Sequence, residues 1–196
     1  MRTDLDVITA MVGTESRVLD LGCADGELLL HLARTRGCRG VGVDRDPDQV
    51  VAAIGRGVSV VELDIDTQLE EFSDDSFDIV VLSQTLQATR RPDRTVTEMM
   101  RIAPTGIVSV PNFGWWRHRW QLGIGGRMPV SKSLPNPWYS TPNIHLATLG
   151  DMDLLFEAAG VTVRQQVLLR PDGSPSSVRF GSNLLASGAT YLIQRG

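Results

Sequence analysis

Val18-Leu-Asp-Leu-Gly-Cys-Ala-Asp-Gly26, followed by Arg39-Gly-Val-Gly-Val-Asp44, decides the fold of this chain. Val18, Leu19 and Leu21 form a short apolar run, the pattern of a parallel strand buried on both faces. Gly22 and Gly26 allow a tight turn and a close approach of backbone to a ligand. Glu27 to Arg34 then reads as a helix with Leu28, Leu29 and Leu32 apolar, its N-terminus favouring a negative ligand group. The second apolar run ends at Asp44, about 20 residues past the loop, where a carboxylate accepts hydrogen bonds from ribose hydroxyls. Loop and acid together read as a nucleoside site. A turn that only joins a strand to a helix is the weaker alternative.

A dinucleotide fingerprint would place glycine at 22, 24 and 27, whereas this chain has Gly22, Ala24 and Glu27. The pattern Asp20-Leu-Gly22-Cys23-Ala24-Asp25-Gly26 instead resembles the first motif of class I S-adenosylmethionine-dependent methyltransferases. The usual loop of that family is Gly-x-Gly-x-Gly, and Ala24 departs at its centre. The resemblance implies S-adenosylmethionine or S-adenosylhomocysteine as cofactor, with Asp20, Gly22, Cys23, Ala24, Gly26 and Asp44 around it. It also implies an acid facing the adenine amino group after the third strand, which Asp64 matches. A solvated strand-end carboxylate is an equally good reading of Asp64.

The alternation continues along the chain. Helices are expected at Asp46 to Ile54 with Pro47 first, at Pro92 to Met100, and from a Thr148 cap with Asp151 in a capping box to Gly160. Strands are expected at Val58 to Leu63, Phe77 to Leu82 and Gly106 to Val110, with a final pair at Val161 to Leu169 and Asn183 to Gln194. The expected fold is α/β: a doubly wound, mostly parallel seven-stranded sheet of the class I methyltransferase type, with an antiparallel last strand. A length of 196 residues suits a single domain over 1–196.

Cys23 and Cys38, the two cysteines, have neither disulfide-framework nor metal-site spacing, so no metal is expected. No apolar run is long enough for a bilayer and no signal pattern opens the chain, so a cytoplasmic protein is expected, without membrane.

Charge divides the sequence. Asp44 to Asp78 holds eleven carboxylates and two arginines, while Met99 to Gly150 holds no carboxylate and all four tryptophans. Within that second stretch, about 111–147 replaces the short link expected before the last helix. So long a connection in a compact domain is usually functional, and arginine and tryptophan are common interface anchors. Trp115, Trp116, Arg117, Arg119, Trp120, Tyr139 and His145 are therefore candidates for a substrate lid or a docking surface. A second small core is the competing reading. Nucleic acid is not expected, because an isoelectric point near 5.3 opposes a broad phosphate footprint.

Leu86-Gln-Ala-Thr-Arg-Arg-Pro92, Val108-Ser-Val-Pro-Asn-Phe-Gly114, Gly126-Arg-Met-Pro-Val130 and Trp138-Tyr-Ser-Thr-Pro-Asn-Ile-His145 resemble the methionine biosynthesis MetW family from about Arg17 to Gly160. The resemblance implies a role in methionine synthesis and association with homoserine O-acetyltransferase as partner. It does not imply methyl transfer. His118, His145 and Tyr139 are the loop's groups able to act as a base. None lies in a base motif, and a lone histidine is read as structural. No Gly-x-Ser-x-Gly elbow is present, so the chain is not read as the acetyltransferase itself. An active methyltransferase on a small, anionic molecule remains the alternative function.

Overall fold

The computed structural model describes residues 3–178 and 180–196. In chain order the elements are α1 Thr3–Met11, β1 Arg17–Leu21, α2 Glu27–Arg36, β2 Arg39–Asp44, α3 Pro47–Gly55, β3 Val60–Glu62, β4 Ile79–Ser83, α4 Pro92–Ile102, β5 Thr105–Pro111, α5 Trp116–Gly123, α6 Leu149–Ala158, β6 Val161–Leu169, α7 Ser182–Leu185 and β7 Gly188–Arg195. The sheet order is β3-β2-β1-β4-β5-β7-β6. β3, β2, β1, β4 and β5 pair in parallel, and β7 runs against both β5 and β6. The expected seven-stranded sheet is the one observed.

Period-two alternation explains why the sheet is covered on both faces. Leu19, Leu21, Val80, Leu82 and Val108 face one core, against Val96 and Met99 of α4 and Met152 and Phe156 of α6. Val18, Ile79, Val81 and Ile107 face the other, against Leu5 and Ile8 of α1 and Leu28 and Leu32 of α2. Each such fully buried side chain contributes roughly 1.5–3 kcal/mol by its removal from water.

Local chemistry sets the helix ends. Asp46 accepts from the Asp48 N–H at the start of α3, with Pro47 in its first turn. Thr148 and Asp151 form the capping box of α6, as the sequence indicates. β3 is shorter than expected, because Val58 N–H donates to the Ala53 carbonyl and ends the turn after α3. The last strand begins at Gly188 instead of Asn183. Residues Ser182–Leu185 are helical, and Asn183 is used as a tie: its Oδ1 accepts from Leu149 N–H and its carbonyl from Asn112 Nδ2. α1 and α5 are additions that the sequence reading did not anticipate.

The strand order reverses between β1 and β4, and at such a switch point the loops diverge and leave a crevice outside the carboxyl ends of the strands. The loop after β1 and the turn after β4 meet there. Between β5 and α6 runs the long connection, with α5 at its start.

Candidate functional site

A crevice of about 240 Å³ occupies the switch point, with Gly22 after β1, Asp44 at the end of β2, Leu63 to Asp66 after β3, and Gln84 and Thr85 after β4 in its walls. Gly22 and Gly26 have φ of 78° and 74°, the left-handed region that glycine adopts freely. Ala24 lies between them at φ 47° and Gln84 faces the same crevice at φ 58°. Left-handed backbone in non-glycine residues costs free energy and persists only where neighbours hold it. Ala24 is held by Asp44: its N–H donates to Asp44 Oδ2 at 2.8 Å. The Gln84 N–H donates to the Ser109 carbonyl and hydroxyl at 3.0 and 3.1 Å.

Asp44 Oδ1 accepts from the Asp46 N–H at 3.0 Å. Each carboxylate oxygen thus takes one backbone donor, and two oxygens with about four acceptor sites leave room for two hydroxyls. Leu63 and Ile65 give the crevice an apolar side, and the Asp64 carboxylate stands beside them, accepting from the Asp66 N–H at 3.0 Å. Asp66 in turn accepts from the Arg90 N–H at 2.7 Å and so ties this loop to the turn before α4. Carboxylate acceptors of Asp44 and Asp64 with an apolar side from Leu63 and Ile65 are parts able to hold a nucleoside.

Of the residues singled out in the sequence, Gly22, Asp44 and Asp64 line the crevice together. Asp20, Cys23, Ala24 and Gly26 do not line it. Asp20 is buried within β1. The Cys23 sulfur turns into the sheet, where a Cβ on Gly42 would lie 2.5 Å away. Burial pushes its thiol up to about 12, helped by the charges of Asp20 and Asp44. A Cβ on Gly26 would lie 2.7 Å from Val58, so that glycine serves close packing within the chain. Ala24 is exposed. Gln84, Thr85 and Pro142 are crevice residues that the sequence reading missed. Only the strained φ and tertiary placement reveal the first two, and Pro142 arrives from the long connection.

That connection is built on its own small framework. His118 is buried, with Nδ1 3.0 Å from the Asn112 carbonyl and Nε2 2.9 Å from the Ser131 hydroxyl. A carbonyl only accepts, so Nδ1 carries the proton and Nε2 accepts from Ser131. Burial lowers the His118 pKa, which keeps the ring neutral. Trp115 is 5% exposed and packs edge-on against His118 at 5.1 Å, with the Arg117 guanidinium 5.4 Å from its ring. It is thus an internal strut, unlike its exposed neighbours. Trp116 is 45%, Trp120 64% and Tyr139 75% exposed, and Arg117 and Arg119 also face solvent. Every residue from Arg119 to Met128 is exposed, Leu122 and Ile124 among them. His145 sits at the wall of a separate apolar pocket of about 290 Å³ among Leu86, Phe113, Leu134 and Met152. None of His118, His145 and Tyr139 lines the crevice.

The strand order and the switch-point crevice define the class I S-adenosylmethionine-dependent methyltransferase fold. Solved structures agree. An S-adenosylmethionine-dependent methyltransferase from Mesorhizobium loti matches 97% of this chain and 96% of its own at 16% identity, with a TM-score of 0.70. A TehB-like methyltransferase from Corynebacterium glutamicum matches 100% of this chain and 89% of its own at 15% identity, with a TM-score of 0.66. Within that class the sequence is more specific. The family described as methionine biosynthesis protein MetW matches residues 2–193, and the chain belongs to it. The bifunctional methionine biosynthesis protein MetXA/MetW of Rhodopirellula baltica is 31% identical over 193 residues, covering 90% of this chain. The chain spans only 31% of that relative's length. No helix among the described residues is long and apolar enough to cross a membrane.

Proposed function

We propose that this chain is an accessory subunit of methionine synthesis. It holds S-adenosylmethionine or S-adenosylhomocysteine in the Asp44 crevice and docks on homoserine O-acetyltransferase through the connection between β5 and α6. A single cytoplasmic methyltransferase-like domain is sufficient for both tasks. The observation that carries the reading is a contrast within one molecule. The crevice has the parts of a nucleoside site but no histidine, tyrosine or lysine in its walls, while ten consecutive exposed residues after Gly114 carry uncovered apolar side chains. A fold of this class does not itself fix the chemistry. Exposed Trp116, Trp120 and Ile124 beside Arg117 match the residue types that anchor interfaces. The fused name of the Rhodopirellula relative joins a MetXA and a MetW unit in one protein, which fits a standing association of the two activities.

The test is co-purification of the two untagged full chains, followed by acetyltransferase activity with and without this chain. A stable complex with higher activity is expected. Separate elution with unchanged activity overturns the accessory role.

A second reading, methyl transfer to a small anionic molecule, is favoured by one observation. A space of about 440 Å³ shares Gln84 and Pro142 with the nucleoside crevice and has Lys132 and Arg170 in its walls.

A further inference from the structure

That neighbouring space has its own set of charged and amide groups. It lies over the ends of β4, β5 and β6, walled by Gln84, Pro111 and Leu169, with 132–133, 135–136 and 142–143 of the long connection along its side. Its charged groups are Lys132, Arg170 and Asp172. A second space of about 460 Å³ continues beyond Lys132, Arg170 and Asp172 and adds Arg117. Arg170 lies close enough to Asp172 to help hold that carboxylate below its usual pKa, while Lys132 adds a second positive charge to the wall. The stretch from Met99 to Gly150 supplies no further carboxylate. Two cations against one carboxylate leave a net positive charge at this space, which attracts an anion.

We infer that this space binds a small carboxylic acid beside the nucleoside, its carboxylate held by Lys132 and Arg170. Three features select the class. An arginine fork matches a planar carboxylate through two parallel hydrogen bonds. Asp172 disfavours a ligand of high negative charge: Ser174 donates to it through hydroxyl and N–H, and the Arg170 charge helps to keep it ionised. Asn136, Asn143 and Gln84 offer amides for the hydroxyl, amino or second acid group of such a molecule.

Gln84 is the link between the two spaces. Its left-handed backbone is fixed by Ser109, and its Nε2 donates to the Ser109 hydroxyl at 3.3 Å. Strain of this kind, held in place by surrounding bonds, is found where a side chain must be aimed. The amide of Gln84 is therefore a positioning group at the wall common to nucleoside and acid.

The inference rests on the nucleoside reading only for what lies next door, and titration separates the two. The probes are succinate, its neutral analogue succinamide and inorganic phosphate, each titrated into the full chain with and without saturating S-adenosylhomocysteine. Succinate is expected to bind, with succinamide and phosphate each about tenfold weaker or more. Lys132→Ala and Arg170→Ala should each weaken succinate by about tenfold, while Arg127→Ala, which lines neither space, leaves it unchanged. Both tested side chains are exposed, so the fold survives either change. Equal binding of succinamide, preference for phosphate, or undiminished succinate binding by both variants overturns the site. Failure of S-adenosylhomocysteine to bind while succinate behaves as described removes the nucleoside reading alone.

Discussion

Asp44 and Ala24, 20 residues apart, are joined by a 2.8 Å hydrogen bond from the Ala24 N–H to the Asp44 carboxylate. The bond fastens the loop after β1 to the end of β2 and holds Ala24 at φ 47°. Asp44 also lines the crevice, so one carboxylate shapes the loop and can offer acceptors to a ligand.

Ala24→Gly tests the strain. Glycine enters the left-handed region without a Cβ penalty of about 1–2 kcal/mol, offset in part by about 0.4–1 kcal/mol of extra unfolded-state freedom. A net gain of about 0.5–1 kcal/mol is expected, or about 2 °C in Tm for a chain of this size. A lower Tm by calorimetry contradicts it.

Gly22→Ala tests a different constraint. A Cβ there would lie 2.5 Å from Thr85 Oγ1, and φ is already 78°. The sequence suggests that a side chain at this glycine would obstruct the ligand. The structure directs it into Thr85 instead, so folding stability falls by about 2 kcal/mol or more. Thr85→Ala in the same chain should restore part of the loss. A Gly22→Ala protein with the parent Tm contradicts this packing account.

The parts legible in the sequence were those set locally. The buried strands, the positive-φ glycines, the Asp44 spacing and the Thr148 capping box depend on neighbours in the chain. α1 carried a readable signal in Leu5, Ile8 and Val12, spaced for one helix face. The crevice walls from Gln84, Thr85 and Pro142 carried none, because each arrives from a distant segment. Trp115 and Trp116 are adjacent and identical, and only the packing of His118 makes one a strut and the other exposed.

His118 ties Asn112 to Ser131 as a neutral ring, and its folded pKa lies below the usual 6.5. The unfolded chain therefore binds the proton more readily. The contribution is complete above about pH 6.5 and is lost as pH falls through the lower folded value. Thermal melts should show the parent losing stability below pH 6.5 faster than His118→Gln. Parallel pH profiles contradict the assignment.

Trp120→Ala with Ile124→Ala removes two side chains that are 64% and 71% exposed. If the proposed docking surface is correct, their loss should weaken acetyltransferase association by about 2 kcal/mol or more. Tm should stay within about 1 °C, because little of either side chain is buried. Arg117→Glu should act in the same direction, whereas Arg119 also donates to the Gly114 carbonyl at 2.5 Å and its loss affects the loop itself. Undiminished pull-down by the double variant places the docking surface elsewhere.

Calorimetric titration of S-adenosylhomocysteine into the chain and into Asp44→Ala tests the nucleoside crevice most directly. Charge-assisted hydrogen bonds to two hydroxyls contribute about 1.5–3 kcal/mol, so the variant should bind roughly one to two decades more weakly. Saturable binding of one ligand per chain, weakened in this way, is the predicted result. No heat of binding to the parent chain, or equal affinity in the two proteins, contradicts the assignment of that crevice.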